Sequence, residues 1–249
     1  MTCNFIYATL RGENFQSISA NTKDDTFAMI TPLIDGFQQF RDDFFGEDKS
    51  FFSRLVQRGQ KPKIMVISCA DSRVDPAILF GTRPGELFMV RNVANLIPPY
   101  APDAGLHGVS AAIEFGVRDL MVEHLVILGH AFCGGIQALC THHRHLAENE
   151  NVPETPRREF IHSWINIASP AMATIDLENW QDSFQHDAEQ AAIRHSMQNL
   201  NSFPWIVEAI EAGKLQIHGW WFDMENGALW GLDKEQDKFV RLVPNPDKA

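Results

Sequence analysis

Apolar positions recur with two different periods along this chain, and the change of period marks its elements. Leu33, Phe37, Phe40 and Phe44 follow a 4-3-4 spacing, which predicts an amphipathic helix over 27–45. Phe51, Phe52, Leu55 and Val56 gather on one side of a shorter helix that Gly59 can end. KIMVIS (63–68) is a short run of the kind that suits a buried strand, and GELFMVRN (85–92) is a second candidate. Val109, Ala112, Ile113, Gly116, Val117 and Leu120 return to helical spacing behind Gly108. HLVILG (124–129) predicts a further buried strand, and Gly134-Gly135-Ile136 opens a further helix. Asn201 or Ser202 can cap a helix with Pro204 in its first turn and Gly213 just past its end. Residues 215–232 alternate around Asn226-Gly227, a hairpin signal.

Strands alternating with helices predict an α/β fold: a central, mostly parallel β-sheet flanked by helices, with an N-terminal helical arm and a C-terminal β-hairpin. The expected division is an arm (1–25), one domain (26–240) and a tail (241–249). Composition agrees, because 249 residues that are 45% apolar and 21% charged can bury one sizeable core. A net charge of −11 without a basic cluster argues against nucleic acid or an anionic membrane as partner. No apolar run approaches the roughly 18–20 residues that span a bilayer. The opening MTCNFIYATLRGENFQ lacks the pattern of a secretory signal. Four cysteines (Cys3, Cys69, Cys133, Cys140) do not suggest a disulfide framework, so reduced thiols in the cytoplasm are expected.

Open parallel sheets place their chemistry past the carboxyl ends of their strands, and two motifs stand there. Cys69 follows KIMVIS, and Gly129-His130-Ala131-Phe132-Cys133-Gly134-Gly135 follows HLVIL. If the two strands are neighbours, Cys69, His130 and Cys133 form a three-ligand set that suits zinc and leaves its fourth position open. Plain core packing and a Cys69–Cys133 redox pair are the alternatives. Cys133 would lie where a helix begins, and unpaired N–H groups there favour a thiolate. Arg73 can reach back to Asp71 and hold its carboxylate ionised, ready to accept a hydrogen bond from metal-bound water. A loop-ordering salt bridge is the plainer reading of that pair.

The motifs resemble those of the β-class carbonic anhydrases: C-A-D-S-R (69–73), P-G-E-L-F-x-x-R-N-V-A-N (84–95) and G-H-x-x-C-G-G (129–135). The likeness continues through F-I-x-x-W (160–164), N-L-x-x-F-P (199–204) and H-G-W-W-F-D (218–223), covering about residues 30–235. It implies one Zn2+ per chain on Cys69, His130 and Cys133, with Asp71 and Arg73 as the catalytic dyad. It also implies a substrate pocket from Gln60, Phe88, Val93 and Phe115, partly shared across a homodimer or dimer-based oligomer, and an anion contact from the Gly134 N–H. N-terminal helices would embrace the partner. The implied reaction is reversible hydration of CO2 to bicarbonate and a proton by zinc-bound hydroxide. Hydrolysis of carbonyl sulfide or carbon disulfide on the same scaffold, or a non-catalytic zinc or thiol-redox module, are the rivals. Phe115 stands where plant-like members carry tyrosine. Val66 and Ser68 replace the tryptophan and glycine of members with an inhibitory bicarbonate site, so a site that stays open is expected.

Other features attract plainer readings. Thr141-His142-His143-Arg144-His145 is expected to be a solvated turn or helix end rather than a second metal site. Trp220, Trp221 and Phe222 are expected in core or dimer packing, and Cys140 and Cys3 to be inert. The acidic residues around 176–189 are expected on a solvated helix face.

Overall fold

A computed structural model describes residues 25–46, 50–103, 105–147, 158–175 and 184–243. It divides into two compact units at Gly59. The first carries α1 (Asp25–Phe45) and α2 (Ser50–Arg58), close to the helices their periodicity predicts. Phe40, Phe44, Phe45, Phe51 and Phe52 form one aromatic cluster, with the Phe40 and Phe44 ring centroids 4.8 Å apart. Val56 stays out of it and is 79% exposed. Gly59 follows α2 with φ +65°, the left-handed conformation that ends a helix.

The second unit is built on β1 (Ile64–Cys69), β2 (Leu87–Asn92), β3 (His124–His130), β4 (Gln216–Asp223), β5 (Ala228–Asp233) and β6 (Lys238–Arg241). They form a mixed sheet in the order β2-β1-β3-β4-β5-β6, parallel over the first four and antiparallel over the last two pairings. β1 and β3 are therefore neighbours, as the converging motifs require. β6 was not anticipated: it is four residues long, and only Phe239 and Val240 within it are apolar.

The helices are α3 (Pro76–Phe80), α4 (Gly108–Glu114), α5 (Gly134–Ala147), α6 (Ile161–Ile165), α7 (Ser169–Met172), α8 (Phe184–Leu200) and α9 (Pro204–Glu211). α4 continues into a π turn over Phe115–Asp119, which still buries Gly116 and Val117. α9 starts at Pro204, but its cap is Phe203, without a side-chain cap bond. Ser202 Oγ instead accepts from Tyr100 N and donates to Asn199 O, so neither Asn201 nor Ser202 caps α9. Gly213 closes it with φ +66°.

One sheet face, bearing Met65, Ile67, Leu125, Ile127, Ile217 and Trp221, packs in the main core with Ile193 and Met197 of α8. Two strand glycines admit α8 there: a Cβ at Gly129 would stand 2.7 Å from Ile193 Cδ1, and one at Gly219 2.8 Å from Ile193 Cγ2. The opposite face carries Val66, Val126 and Leu128 beneath Val74, Leu79 and Phe80. Burial on both faces explains why β1 and β3 read as continuous apolar runs. Among the described residues no helix is long and apolar enough to cross a membrane.

Candidate active site

The site forms where β1 and β3 end side by side. β1 ends at Cys69 and β3 at His130, and after two more residues the chain turns through Cys133 into α5. The ligand atoms of Cys69, His130 and Cys133 all lie within 4.8 Å of one another, and all three side chains are buried. The Cys69 and Cys133 sulfurs are 3.9 Å apart, a separation that suits two thiolates each about 2.3 Å from one tetrahedral zinc. His130 Nδ1 faces the Ala131 carbonyl at 2.8 Å, which fixes the proton on that nitrogen. Its Nε2 is buried without a hydrogen-bond partner. An orphaned buried nitrogen beside two thiols is the donor set that zinc completes, so these residues fit the metal.

The surroundings favour thiolate. The Cys133 contact and, despite burial, those from His130, Asp71 and Ala94 draw the Cys69 thiol down to about 4. The same Cys69 contact and burial raise Cys133, so the pair gives up one proton readily and keeps the other until a cation replaces it. Ala94 N donates to Cys69 Sγ at 3.4 Å. Its φ of +63° belongs to a strained turn over Val93–Asn95, where Asn95 is also left-handed. Gly135 lets α5 approach that turn, since a Cβ there would lie 3.0 Å from Ala94 Cβ and from Val93 Cγ1. Trp164 of the F-I-x-x-W motif donates its Nε1–H to Val93 O at 2.7 Å.

Asp71 and Arg73 pair in the turn after β1. Oδ1 accepts from Arg73 N and Nε at 2.9 Å each, and Oδ2 accepts from Nη2 at 2.8 Å. These bonds hold the Asp71 carboxyl well below the usual carboxylate range. Arg73 Nη2 also donates to the Phe132 carbonyl at 3.2 Å, tying the dyad to the β3–α5 turn. Asp71 Oδ2 lies 3.9 Å from His130 Nε2. A carboxylate that stays ionised therefore stands beside a three-ligand metal site, and that combination can activate and orient water.

The family model described as carbonic anhydrase matches residues 64–229. The chain belongs to the β-carbonic anhydrase family. It is 34% identical to a carbonic anhydrase of Pseudomonas aeruginosa over 86% of this chain and 93% of that protein. It is 37% identical to β-carbonic anhydrase 5, chloroplastic, of Arabidopsis thaliana over 88% and 70% of the two chains. The solved β-carbonic anhydrase CcaA superposes with a TM-score of 0.73 at 28% identity, over 86% of this chain and 99% of that one.

The remaining candidates divide by position. Val93 follows β2 directly and Gly134 opens α5, so both stand at the carboxyl end of the sheet. Nothing lies within 4 Å of where a Gly134 Cβ would be. Phe88 pairs with Met65, while Cys69 pairs with Asn92. Four residues separate these pairings, so Phe88 sits roughly 13 Å down the sheet from its own chain's Cys69. Phe115 accompanies Phe88, with ring centroids 5.9 Å apart, and Gln60 lies exposed ahead of β1. The positions expected to line the pocket thus stand at both ends of the sheet within one chain.

The sequence reading missed one group. Glu189 of α8 is only 2% exposed, so it does not belong to the solvated acidic face expected around 176–189; residues 176–183 lie outside the described residues, and Asp187 is exposed. Its Oε1 accepts from Cys133 N at 2.8 Å and Gln185 Nε2 at 3.1 Å, and Oε2 from Trp221 Nε1 at 3.1 Å. Burial raises its carboxyl to about 7 against those three donors. Trp221 is core, as expected, and anchors this carboxylate. The signal available in sequence was Glu189 recurring with Phe184, Ala188, Ala192 and Ile193 on one helical face.

His142 and His143 lie half-buried on α5, the His142 ring 5.5 Å from that of His162 and His143 Nε2 3.4 Å from Ser169 Oγ. Among the described residues, only Cys69, His130 and Cys133 group as a possible metal set. Burial pushes the Cys140 thiol up to about 12, which suits an inert residue. Cys3 lies outside the described residues.

Proposed function

We propose that the protein catalyses reversible hydration of CO2 to bicarbonate and a proton, on one zinc held by Cys69, His130 and Cys133. The observation that carries this is the buried Cys-His-Cys set with an ionised carboxylate at its side. When bound, zinc supplies the Lewis acidity that lets water ionise near neutral pH. Everything else falls to the chain. Arg73 holds Asp71 as an acceptor-only carboxylate, so Asp71 takes a hydrogen bond from the attacking water and aims its remaining lone pair at carbon. Val93, with Phe88 and Phe115, supplies apolar walls for an uncharged linear gas. The Gly134 N–H at the start of α5 faces the developing bicarbonate, where a helix terminus favours negative charge.

Phe88, Phe115 and Gln60 reach a zinc site only if a second chain brings them, which supports a homodimer. β2 is the sheet's free edge in one chain, and Met89, Val93 and Phe115 are each about 40% exposed along that side. Residues 26–240 are read as one zinc domain, supported by a family match over residues 64–229, from β1 to the start of β5. Three buried thiols that work as thiolate or inert core support a reducing compartment such as the cytoplasm.

Stopped-flow hydration of CO2 by the zinc-loaded protein tests the reaction. Asp71→Ala should keep its zinc and lose about 10²-fold in kcat. Unchanged hydration in that variant removes the role given to Asp71. Turnover of carbonyl sulfide or carbon disulfide without CO2 hydration by wild type would replace the substrate.

A further inference from the structure

Arg91 has no part in the chemistry described so far, yet it makes four hydrogen bonds to the active-site loop from outside it. It sits on β2 opposite Ser68, and both point to the sheet face away from Cys69. Because β2 runs parallel to β1, Arg91 reaches the chain just as it leaves β1 and turns. Nη2 donates to Asp71 O and to Val74 O, each at 2.7 Å. Nε donates to Cys69 O at 3.2 Å, and Nη1 lies 3.4 Å from Asp75 Oδ2. Every one of these acceptors lies in residues 69–75. The guanidinium therefore closes a ring around the loop that carries one metal ligand, Asp71 and Arg73.

The other bonds of the loop are mostly internal to it or sit at its start, where Ala70 N donates to Asn92 O at 2.8 Å. Val74 N donates to Asp71 O at 3.0 Å, and Asp75 Oδ1 caps α3 by accepting from Ala77 N and Ile78 N. Arg73 holds the Asp71 carboxylate, but Arg73 belongs to the same loop and moves with it. Among the described residues, Arg91 on a neighbouring strand and the Phe132 carbonyl on the β3–α5 turn bond directly to the dyad residues from outside the loop, while the Ala70 bond lies one residue earlier. We propose that Arg91 is a positioning residue for the hydration reaction, fixing the 69–75 backbone so that Asp71 keeps its place beside the metal ligands. This rests on the carbonic anhydrase reading of the site. The bonds go to backbone carbonyls in two directions, a task for a planar fork rather than a point charge.

Two substitutions test it in the zinc-loaded protein. Arg91→Gln and Arg91→Lys are each expected to retain one zinc per chain, because Cys69, His130 and Cys133 remain. Outer partners of a metal site are worth about 10–100-fold, so kcat for CO2 should fall by that factor with KM changed less than about threefold. Lysine should not rescue, since it reaches one acceptor where arginine reaches four. If Arg91→Gln does not fold, Arg91→Lys carries the same test alone. The visible spectrum of the Co2+-substituted proteins gives a second readout that needs no turnover, and it should differ between wild type and variant as Asp71 shifts. A kcat within twofold of wild type in either variant overturns the proposal, as does activity lost only in proportion to zinc. An inactive wild type whose cobalt spectrum still responds to Arg91 would instead remove the hydration reading and leave the positioning intact.

Discussion

Burial and hydrogen bonding compete at Glu189, and the competition has a pH signature. Three N–H donors favour its ionised form, but an environment that leaves it 2% exposed favours the neutral one, and burial wins with a carboxyl near 7. A folded value above the unfolded one means that the stabilising contribution is complete below about pH 4.5. It is lost as pH rises through about 7 and is constant beyond. Glu189→Gln cannot titrate, so the stability of that variant minus that of wild type should grow between pH 5 and 7 and then level off. The ceiling on this growth is about 3 kcal/mol. Denaturant melts of both proteins at a series of pH values, at one protein concentration, check the sign, and a flat difference refutes it. The ligands were legible in sequence because Cys and His at strand ends are rare and spaced by chemistry. Glu189 was not, because in a helix with other acids nearby only the unseen sheet distinguishes a buried carboxylate from a solvated one.

At the scale of elements, α8 and the β3–β4 pair depend on two missing side chains. Gly129 and Gly219 lie on adjacent strands beneath Ile193, and the Gly129 contact is with Ile193 Cδ1 at 2.7 Å. Gly129→Ala therefore overpacks the core beside His130 and should destabilise by about 1–3 kcal/mol. Adding Ile193→Val removes Cδ1 and should restore most of that loss, which chemical denaturation of the single and double variants measures. Additive losses would show that the strain is elsewhere. The sheet's parallel strands were readable because burial on both faces writes an unbroken apolar run. β6 was not, for its burial comes only from one side: Phe239 packs beneath the Arg194 guanidinium, 5.0 Å from its ring centroid, and Lys238 and Arg241 remain exposed. The buried side of α8 escaped for a related reason, since small alanines there carry little periodic signal yet allow the close approach that the strand glycines complete.

At the scale of the whole molecule, one chain brings all three candidate metal ligands together, while the pocket proposed above draws on a second copy. Phe88, Phe115 and Gln60 stand at the end of the sheet opposite their own Cys69, so zinc binding and catalysis should separate when copies are parted. Each copy carries a net charge of −11, so two copies repel and the proposed dimer needs apolar contact to hold it. Met89 is 43% exposed on the free edge strand, where a two-fold axis would bring it near its own counterpart. Met89→Glu places like charges at that seam and adds to the existing repulsion. Light scattering should then give the mass of one chain where wild type gives two or a multiple of two, and metal analysis should still find one zinc per chain. CO2 hydration should fall below about a tenth, as expected when pocket walls are removed without touching the ligands. A variant that is monomeric and fully active would show that the pocket is complete within one chain. One that stays dimeric would move the interface away from β2.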